Sequence, residues 1–250
     1  MISEFPLFVF TTLGGIAAGA YVARAIEPLK VGRTASWAFP LFALALLAVS
    51  GFALLGHLGQ PLRVLNAFSN PAAGITQEGI VTVLFGVAVV ADFALCLKRG
   101  DSPRWLVTVV AALGVVLAAV MGLAYASLPG TPAWAGIATV PFFILGDLAL
   151  GAGCYILFRR DAFSVKAYSV YFMVISVLAA ACACALGAHF AALGYEIAPF
   201  VFCAIAVVVG AVLAAFAGKN GNKAFAYAAF ACVVVGVVVV RYAFYTGIII

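Results

Sequence analysis

A small set of ionisable side chains carries the chemistry that this sequence offers. Its only two histidines are His57 and His189, and Arg63, Arg241 and Glu78 fall near the same ends of predicted helices. Histidine and arginine donate hydrogen bonds to carbonyl oxygens, and histidine and carboxylate groups accept protons. This set therefore suits the oxidation of a quinol, which releases protons as it gives up electrons.

The composition requires a membrane around these side chains. Of the 250 residues, 67% are apolar and 8% are charged, whereas a soluble domain is about 45–50% apolar and about 25% charged. These values exclude a soluble globule and a disordered chain. The net charge of +5 comes from few acids rather than from many bases, which also argues against nucleic acid as a partner.

The membrane spans are predicted to be helices, because the apolar runs are continuous instead of alternating as in a β-barrel. Helix breakers and charges divide the sequence into eight such segments within one domain, residues 1–250. Pro141 is expected to kink the fifth helix. The predicted helices are Pro6–Ile26, Ser36–Leu58, Glu78–Leu97, Pro103–Ala126, Pro132–Phe158, Val165–Leu193, Pro199–Ala217 and Asn222–Ile248.

The basic residues predict how this all-α bundle of eight transmembrane helices sits in a prokaryotic cytoplasmic (inner) membrane. Eleven of the 13 fall at one end of the bundle and two, Arg63 and Arg241, at the other. By the positive-inside rule, both termini then lie outside. The eleven are Arg24, Lys30, Arg33, Lys98, Arg99, Arg104, Arg159, Arg160, Lys166, Lys219 and Lys223.

The outer end therefore collects the candidate site. His57, Arg63 and Asn66 lie in or beside the long loop after the second helix, and Glu78 heads the third helix. Ionisable groups at membrane depth are functional candidates. Each also has a structural alternative: Arg63 and Arg241 as side chains that reach the interface, His57 bonded to a carbonyl, and Glu78 as a helix cap.

Two aspartates lie inside predicted spans. Asp92 is expected to pair with Lys98 or Arg99 at the inner face, whereas Asp147 is mid-span and has no evident partner in the sequence. Asp147 keeps open the alternative of a proton- or ion-coupled transporter. A purely structural anchor is a further alternative. Two histidines at one end allow one haem at most and no chain of haems across the bilayer, so we do not expect protein-bound metals to carry electrons across the membrane.

Several segments resemble the dimethyl sulfoxide reductase anchor subunit (DmsC) family. The most specific is Gly56–Phe68, which reads Gly-His-Leu-Gly-Gln-Pro-Leu-Arg-Val-Leu-Asn-Ala-Phe and includes Gly59 and Pro61. The start of the chain, the stretch Thr131–Trp134 with Pro141–Phe143, and the closing Arg241–Gly247 with Tyr245 are similar too. Asp147 and His189 depart from the family pattern.

The resemblance implies a function. Such anchors bind and oxidise menaquinol near the outer face, with His57 and Glu78 as the site histidine and acid. They pass electrons to a docked four-cluster iron–sulfur subunit, which serves a molybdopterin or tungstopterin catalytic subunit in anaerobic respiration. They hold no haem or iron–sulfur cluster of their own. We expect Arg63 and Arg241 to share the quinol site, with Gly59, Pro61, Asn66, His189 and Tyr245 supporting it.

Overall fold

The described part of the chain is helical, as predicted. The computed structural model describes residues 4–29, 36–57 and 69–247, and within these ranges it contains eight α-helices and no strand. The helices are α1 (Phe5–Ile26), α2 (Ala38–His57), α3 (Gly74–Arg99), α4 (Arg104–Ala126), α5 (Thr139–Tyr155), α6 (Lys166–Ala192), α7 (Ala198–Asn220) and α8 (Lys223–Thr246).

Seven of these helices are long and apolar enough to cross a membrane, and α5, with 17 residues, falls below that length. The predicted fifth helix, Pro132–Phe158, is wrong at its start. Pro132–Trp134 forms a short 3-10 helix, and the hydroxyl of Thr139 bonds to the Trp134 carbonyl where α5 begins. Pro141 lies in the first turn of α5, where a missing N–H is tolerated, so it is not the mid-helix residue that the predicted kink requires. The count of eight spans stays a prediction.

The helices pack as two groups of four. Helices α1 to α4 contact one another in a ring, and α5 to α8 form a second ring. The two rings meet mainly where α5 packs against α1 and α4, with further contact between α1 and α8. The seam between the rings is therefore the place where side chains from α1, α5 and α8 come together.

Glycines let α1 and α5 approach closely along this seam. A Cβ atom at Gly151 would lie 2.0 Å from the backbone nitrogen of Ala20, and one at Gly19 would lie 1.9 Å from the carbonyl oxygen of Asp147. Such backbone approach is typical of small residues spaced four apart in membrane helices. The same spacing leaves room at Gly15 for the Asp147 side chain, because a Cβ there would lie 2.0 Å from Asp147 Oδ1.

A buried ion pair ties α1 to α3 near the base-rich end. Arg24 Nη1 donates to Asp92 Oδ2, which also accepts a hydrogen bond of 2.7 Å from the Tyr21 hydroxyl. The predicted pairing of Asp92 with Lys98 or Arg99 is wrong, since both of those bases are exposed. Asp92 lies on the buried stripe of α3, which faces α1, and the Arg24 guanidinium is already there to neutralise it.

The outer surface of the bundle is apolar. Phe52, Val87 and Ile205 are 75%, 64% and 60% exposed, on three different helices. A water-soluble protein rarely leaves so much large apolar surface uncovered. With seven long apolar helices, this surface identifies the chain as a multi-pass membrane protein.

Candidate functional site

A second buried ion pair, Arg241 with Asp147, lies at the seam of the two helix rings. Arg241 Nη2 donates to Asp147 Oδ1, and neither side chain has any exposed surface. The guanidinium also lies over the ring of Phe143, 4.7 Å from its centroid, in a cation–π contact. The pair gives Asp147 the partner that the sequence did not reveal, and it shows that Arg241 is a core residue rather than one that reaches the membrane interface.

This ion pair leaves polar atoms unused. Arg241 Nε and Nη1 and Asp147 Oδ2 are buried and have no hydrogen-bond partner among the described residues. Removing a charged group from water costs free energy unless protein hydrogen bonds replace those to water. Buried polar atoms of this kind therefore normally have a hydrogen-bond partner. These two nitrogens of Arg241 are therefore positioned to donate to a ligand or to water.

Glu78 supplies a buried acceptor nearby. It is 3% exposed, and its Oε1 has no hydrogen-bond partner among the described residues. Glu78 lies one turn after Gly74, which packs against Ala124 of α4, the residue before Tyr125. Arg241 reaches the same end of α4 through Phe143, whose ring stacks on that of Tyr125. With the electrostatic interaction of Tyr125 and Tyr245 with both charges, these contacts assign Glu78 and Arg241 to one polar region.

Helix α3 begins four residues earlier than predicted, which changes the role of Glu78. The residue that caps α3 is Ala73, and Gly74 packs against Ala124 of α4 at the start of the helix. The alternative that Glu78 caps this helix is therefore wrong. Glu78 lies one turn inside, on the same buried stripe as Asp92.

Aromatic rings enclose this polar region. Tyr125 lies 5.4 Å from Phe143 in a stacked arrangement and 5.4 Å from Tyr245 edge to face. Trp134 stacks on Phe244 at 5.3 Å, and its indole N–H donates to the Phe244 carbonyl at 2.8 Å. The rings come from four segments, and their mutual packing holds the end of α8 against α4 and α5.

The local sequence explains how α8 delivers three of these side chains together. Arg241, Phe244 and Tyr245 are three and four residues apart, so they lie on one helix face, and all three are buried. Tyr245 is fixed further by a hydrogen bond of 3.0 Å between its hydroxyl and that of Thr11 on α1. Arg241 and Tyr245, two of the predicted site residues, are thus held on one buried face of α8.

His189 lies at the same end of the bundle but serves another contact. It is near the end of α6, partly exposed, and its Nε2 donates to the Pro132 carbonyl at 2.9 Å. The ring also covers Gly136, where a Cβ would lie 2.9 Å from it. His189 therefore holds the connection between α4 and α5, which carries Trp134.

The remaining predicted site residues belong to the long connection after α2 and to the end of α2 itself. Gly59, Pro61, Arg63 and Asn66 lie outside the described residues, and so does the side chain of His57, which ends α2. Tyr125, Trp134 and Phe143 are site residues that we did not predict. Trp134 and Phe143 fall in segments that resemble the DmsC family, whereas nothing in the sequence marks Tyr125.

Within the described ranges, no group of three His, Cys, Asp or Glu side chains is arranged to hold a metal ion. The polar region instead offers fixed donors from Arg241 and an acceptor from Glu78 inside an aromatic wall. Such a site can hydrogen-bond a flat ligand that carries both hydroxyl and carbonyl oxygens.

Comparison with known proteins identifies the family. The model of the DMSO reductase anchor subunit (DmsC) family matches residues 1–245. The sequence is also 29% identical over 155 residues to the C polypeptide of anaerobic dimethyl sulfoxide reductase from Escherichia coli (strain K12), an alignment that covers 57% of this protein and 53% of that one. The alignment thus spans about half the length of the curated relative. Because the family match extends over nearly the whole sequence, this membrane protein belongs to the DMSO reductase anchor subunit (DmsC) family.

Proposed function

We propose that this protein anchors a dimethyl sulfoxide reductase-type complex to the membrane and oxidises menaquinol beside Arg241 and Glu78. The family gives the anchor role, and the relative in Escherichia coli is named as the C polypeptide of an anaerobic dimethyl sulfoxide reductase. The electrons would leave for an iron–sulfur subunit docked at the same end of the bundle.

One observation carries the quinol site: a buried donor and a buried acceptor, neither with a hydrogen-bond partner among the described residues, share the same polar region. Arg241 Nε and Nη1 offer N–H groups, and Glu78 Oε1 offers a lone pair. A quinol hydroxyl donates and its oxygen accepts, while a quinone oxygen only accepts. The pair therefore complements both redox states of the ligand, with Glu78 facing the hydroxyl proton.

The aromatic wall fits the flat ring system of such a ligand. Tyr125, Phe143 and Tyr245 pack at centroid distances of 5.4 Å and present ring faces and edges, arrangements that aromatic ligands also adopt against proteins. The isoprenoid tail would leave along the apolar surface of the helices.

The residues divide the chemistry between them. Quinol oxidation supplies two electrons and releases two protons. Glu78 accepts a proton from the hydroxyl that it bonds, and Arg241 donates to the oxygen that is losing its proton, which stabilises negative charge there. Asp147 keeps the guanidinium charged and aimed. His57 is expected to take the other proton, by its place in the family-like motif.

Partners and orientation complete the proposal. A four-cluster iron–sulfur subunit and a molybdopterin or tungstopterin catalytic subunit would sit on the outer face of a prokaryotic inner membrane. The segregation of basic residues supports this orientation, with both termini outside. Released protons would then leave on the outer side, where the site lies.

The test separates quinol oxidation from assembly. In the full complex, Glu78→Gln and His57→Ala should each leave the iron–sulfur and catalytic subunits co-purifying with the anchor, yet abolish substrate reduction driven by a menaquinol analogue. A soluble donor that reduces the iron–sulfur subunit directly should still support turnover, which controls for damage elsewhere. Full menaquinol-driven turnover in both variants would refute the site and would favour the purely structural anchor.

The transporter alternative has lost the feature that favoured it. It depended on Asp147 as an unpartnered acid at mid-span, and Asp147 is held by Arg241 in a fully buried ion pair. An acid locked in this way is a poor carrier of ions across the bilayer, because each cycle would have to expose the guanidinium to an apolar surrounding.

A further inference from the structure

The base-rich end of the bundle contains a cavity that the quinol proposal does not use. It has a volume of about 550 Å³ and lies between the end of α5, the 3-10 helix Ala162–Ser164 and the turn from α7 to α8. We propose that this cavity binds the phosphodiester head group of an anionic membrane lipid.

Two of the three bases that line the cavity have no carboxylate partner among the described residues. The Arg159 guanidinium already has partners: it donates to the Pro28 carbonyl at 2.7 Å and pairs with Glu27 and Asp161. Arg160 and Lys223 also line the cavity, and no carboxylate among the described residues pairs with either.

The net charge of this cluster fits a single phosphodiester. Among the described residues, the lining bases Arg159, Arg160 and Lys223 and the acids Asp161 and Glu27, which pairs with Arg159, sum to +1. A head group with one negative charge would neutralise the cluster. Arginine and lysine are the side chains that most often bind phosphate oxygens.

The start of α8 adds neutral donors. Asn222 caps this helix by accepting from the backbone N–H of Ala224 at 2.9 Å, which leaves its own amide N–H groups available. Asn222, Lys223 and Ala226 all line the cavity, so the N-terminus of a 24-residue helix lies at it. Helix N-termini favour anions.

The position favours a lipid over a dissolved anion. The cavity lies at the base-rich end of the bundle, and basic pockets at a membrane surface bind anionic head groups. Its lining also includes Leu29, Leu157, Phe158 and Phe163. A glycerol backbone and the start of an acyl chain can contact these apolar side chains, whereas inorganic phosphate cannot.

The experiment uses the purified, delipidated full complex and native mass spectrometry. Phosphatidylglycerol, phosphatidylcholine and inorganic phosphate are titrated separately against the wild-type complex and two double variants. Arg160→Gln with Lys223→Gln removes the two unpaired cavity bases. Lys98→Gln with Arg104→Gln, the matched control, removes two exposed bases from the same end outside the cavity.

We expect one tightly retained phosphatidylglycerol in the wild type and in the control, and binding weaker by about 30-fold in the cavity variant, from two charges near a membrane surface. Arg160→Lys with Lys223→Arg keeps both charges and should retain the lipid, which separates lost binding from poor folding. Equal retention in all variants, equal binding of phosphatidylcholine, or full competition by inorganic phosphate would each overturn the proposal. Menaquinol oxidation is not needed for any of these measurements.

Discussion

Removal of one or both members of the Arg241–Asp147 pair can separate structure from chemistry. In Asp147→Leu the carboxylate is lost and the Arg241 guanidinium stays fully buried. Leaving one partner of a buried ion pair uncompensated costs about 3–5 kcal/mol, whereas replacing both partners by apolar residues is often neutral or stabilising. This cost corresponds to a decrease of roughly two to three and a half powers of ten in the folding equilibrium constant.

The double variant Asp147→Leu/Arg241→Met should therefore recover most of the stability that the single variant loses. It should not recover quinol oxidation, because the donors on Arg241 Nε and Nη1 are gone. Reversible unfolding in mixed micelles, with increasing denaturing detergent, measures the stability. Menaquinol-driven turnover of the assembled complex, compared with turnover from a soluble donor, measures the chemistry.

The pair Arg24–Asp92 is the matched control. It is equally buried and also joins two helices, but it lies at the opposite end of the bundle. Arg24→Met/Asp92→Leu should show the same recovery of stability, less about 1 kcal/mol for the Tyr21 hydroxyl that loses its acceptor, and should retain quinol oxidation. Native turnover in Asp147→Leu/Arg241→Met would refute the assignment of Arg241, and a fully stable Asp147→Leu would refute the energetic argument.

Other predictions are simpler. Gly15→Ala places a methyl group on the Asp147 carboxylate and should destabilise the bundle by about 1–3 kcal/mol while slowing quinol oxidation, whereas Gly86→Ala, which meets nothing within 4 Å, should do neither. Tyr245→Phe keeps the ring and loses one hydroxyl bond to α1, so unfolding should need about 1 kcal/mol less. His189→Leu should loosen the connection between α4 and α5, detected as faster proteolysis there, without abolishing quinol oxidation. A reporter enzyme that is active only outside the cytoplasm should be active when fused to the C-terminus.

The helix positions could be predicted largely from the sequence because membrane spans are defined by composition. Continuous apolar runs bounded by proline, glycine and charge gave seven of the described helices to within a few residues. The start of α5 could not be found this way. Residues 132–138 are as apolar as the predicted membrane spans. Their conformation is set instead by Trp134, which donates to the Phe244 carbonyl of α8, 110 residues away in the sequence.

The partners of the buried charges could not be predicted, because they depend on which helices meet. Arg241 and Asp147 are 94 residues apart, and Arg24 and Asp92 are 68 apart. Nearness in the sequence favoured Lys98 and Arg99 as partners of Asp92. Arg99, however, lies roughly 10 Å farther along the helix, whereas Arg24 reaches Asp92 across the contact between helices.

The buried residues of α3 recur with helical periodicity, and two of them are acids. Glu78, Phe85, Val89, Asp92 and Cys96 recur at spacings that put them on one face, and all five are buried. A carboxylate on such a stripe must meet a base or a ligand inside the protein. Asp92 meets a base, and Glu78 Oε1 meets none among the described residues. That difference between two acids on one stripe is what distinguishes a structural tie from a candidate binding group.

The burial of Arg24 and Arg241 also strengthens the argument for orientation. The positive-inside rule concerns bases that face the membrane surface, and a guanidinium in a buried ion pair does not. Arg241 was one of two exceptions to the predicted segregation of bases, and it is fully buried. Among the described residues every exposed base then lies at the other end: Lys98, Arg99, Arg104, Arg160, Lys166, Lys219 and Lys223. Because Arg241 is buried, it does not count as a surface base in the positive-inside rule. Its pairing with Asp147 uses only Nη2, so Nε and Nη1 remain available to donate to a ligand at the candidate site.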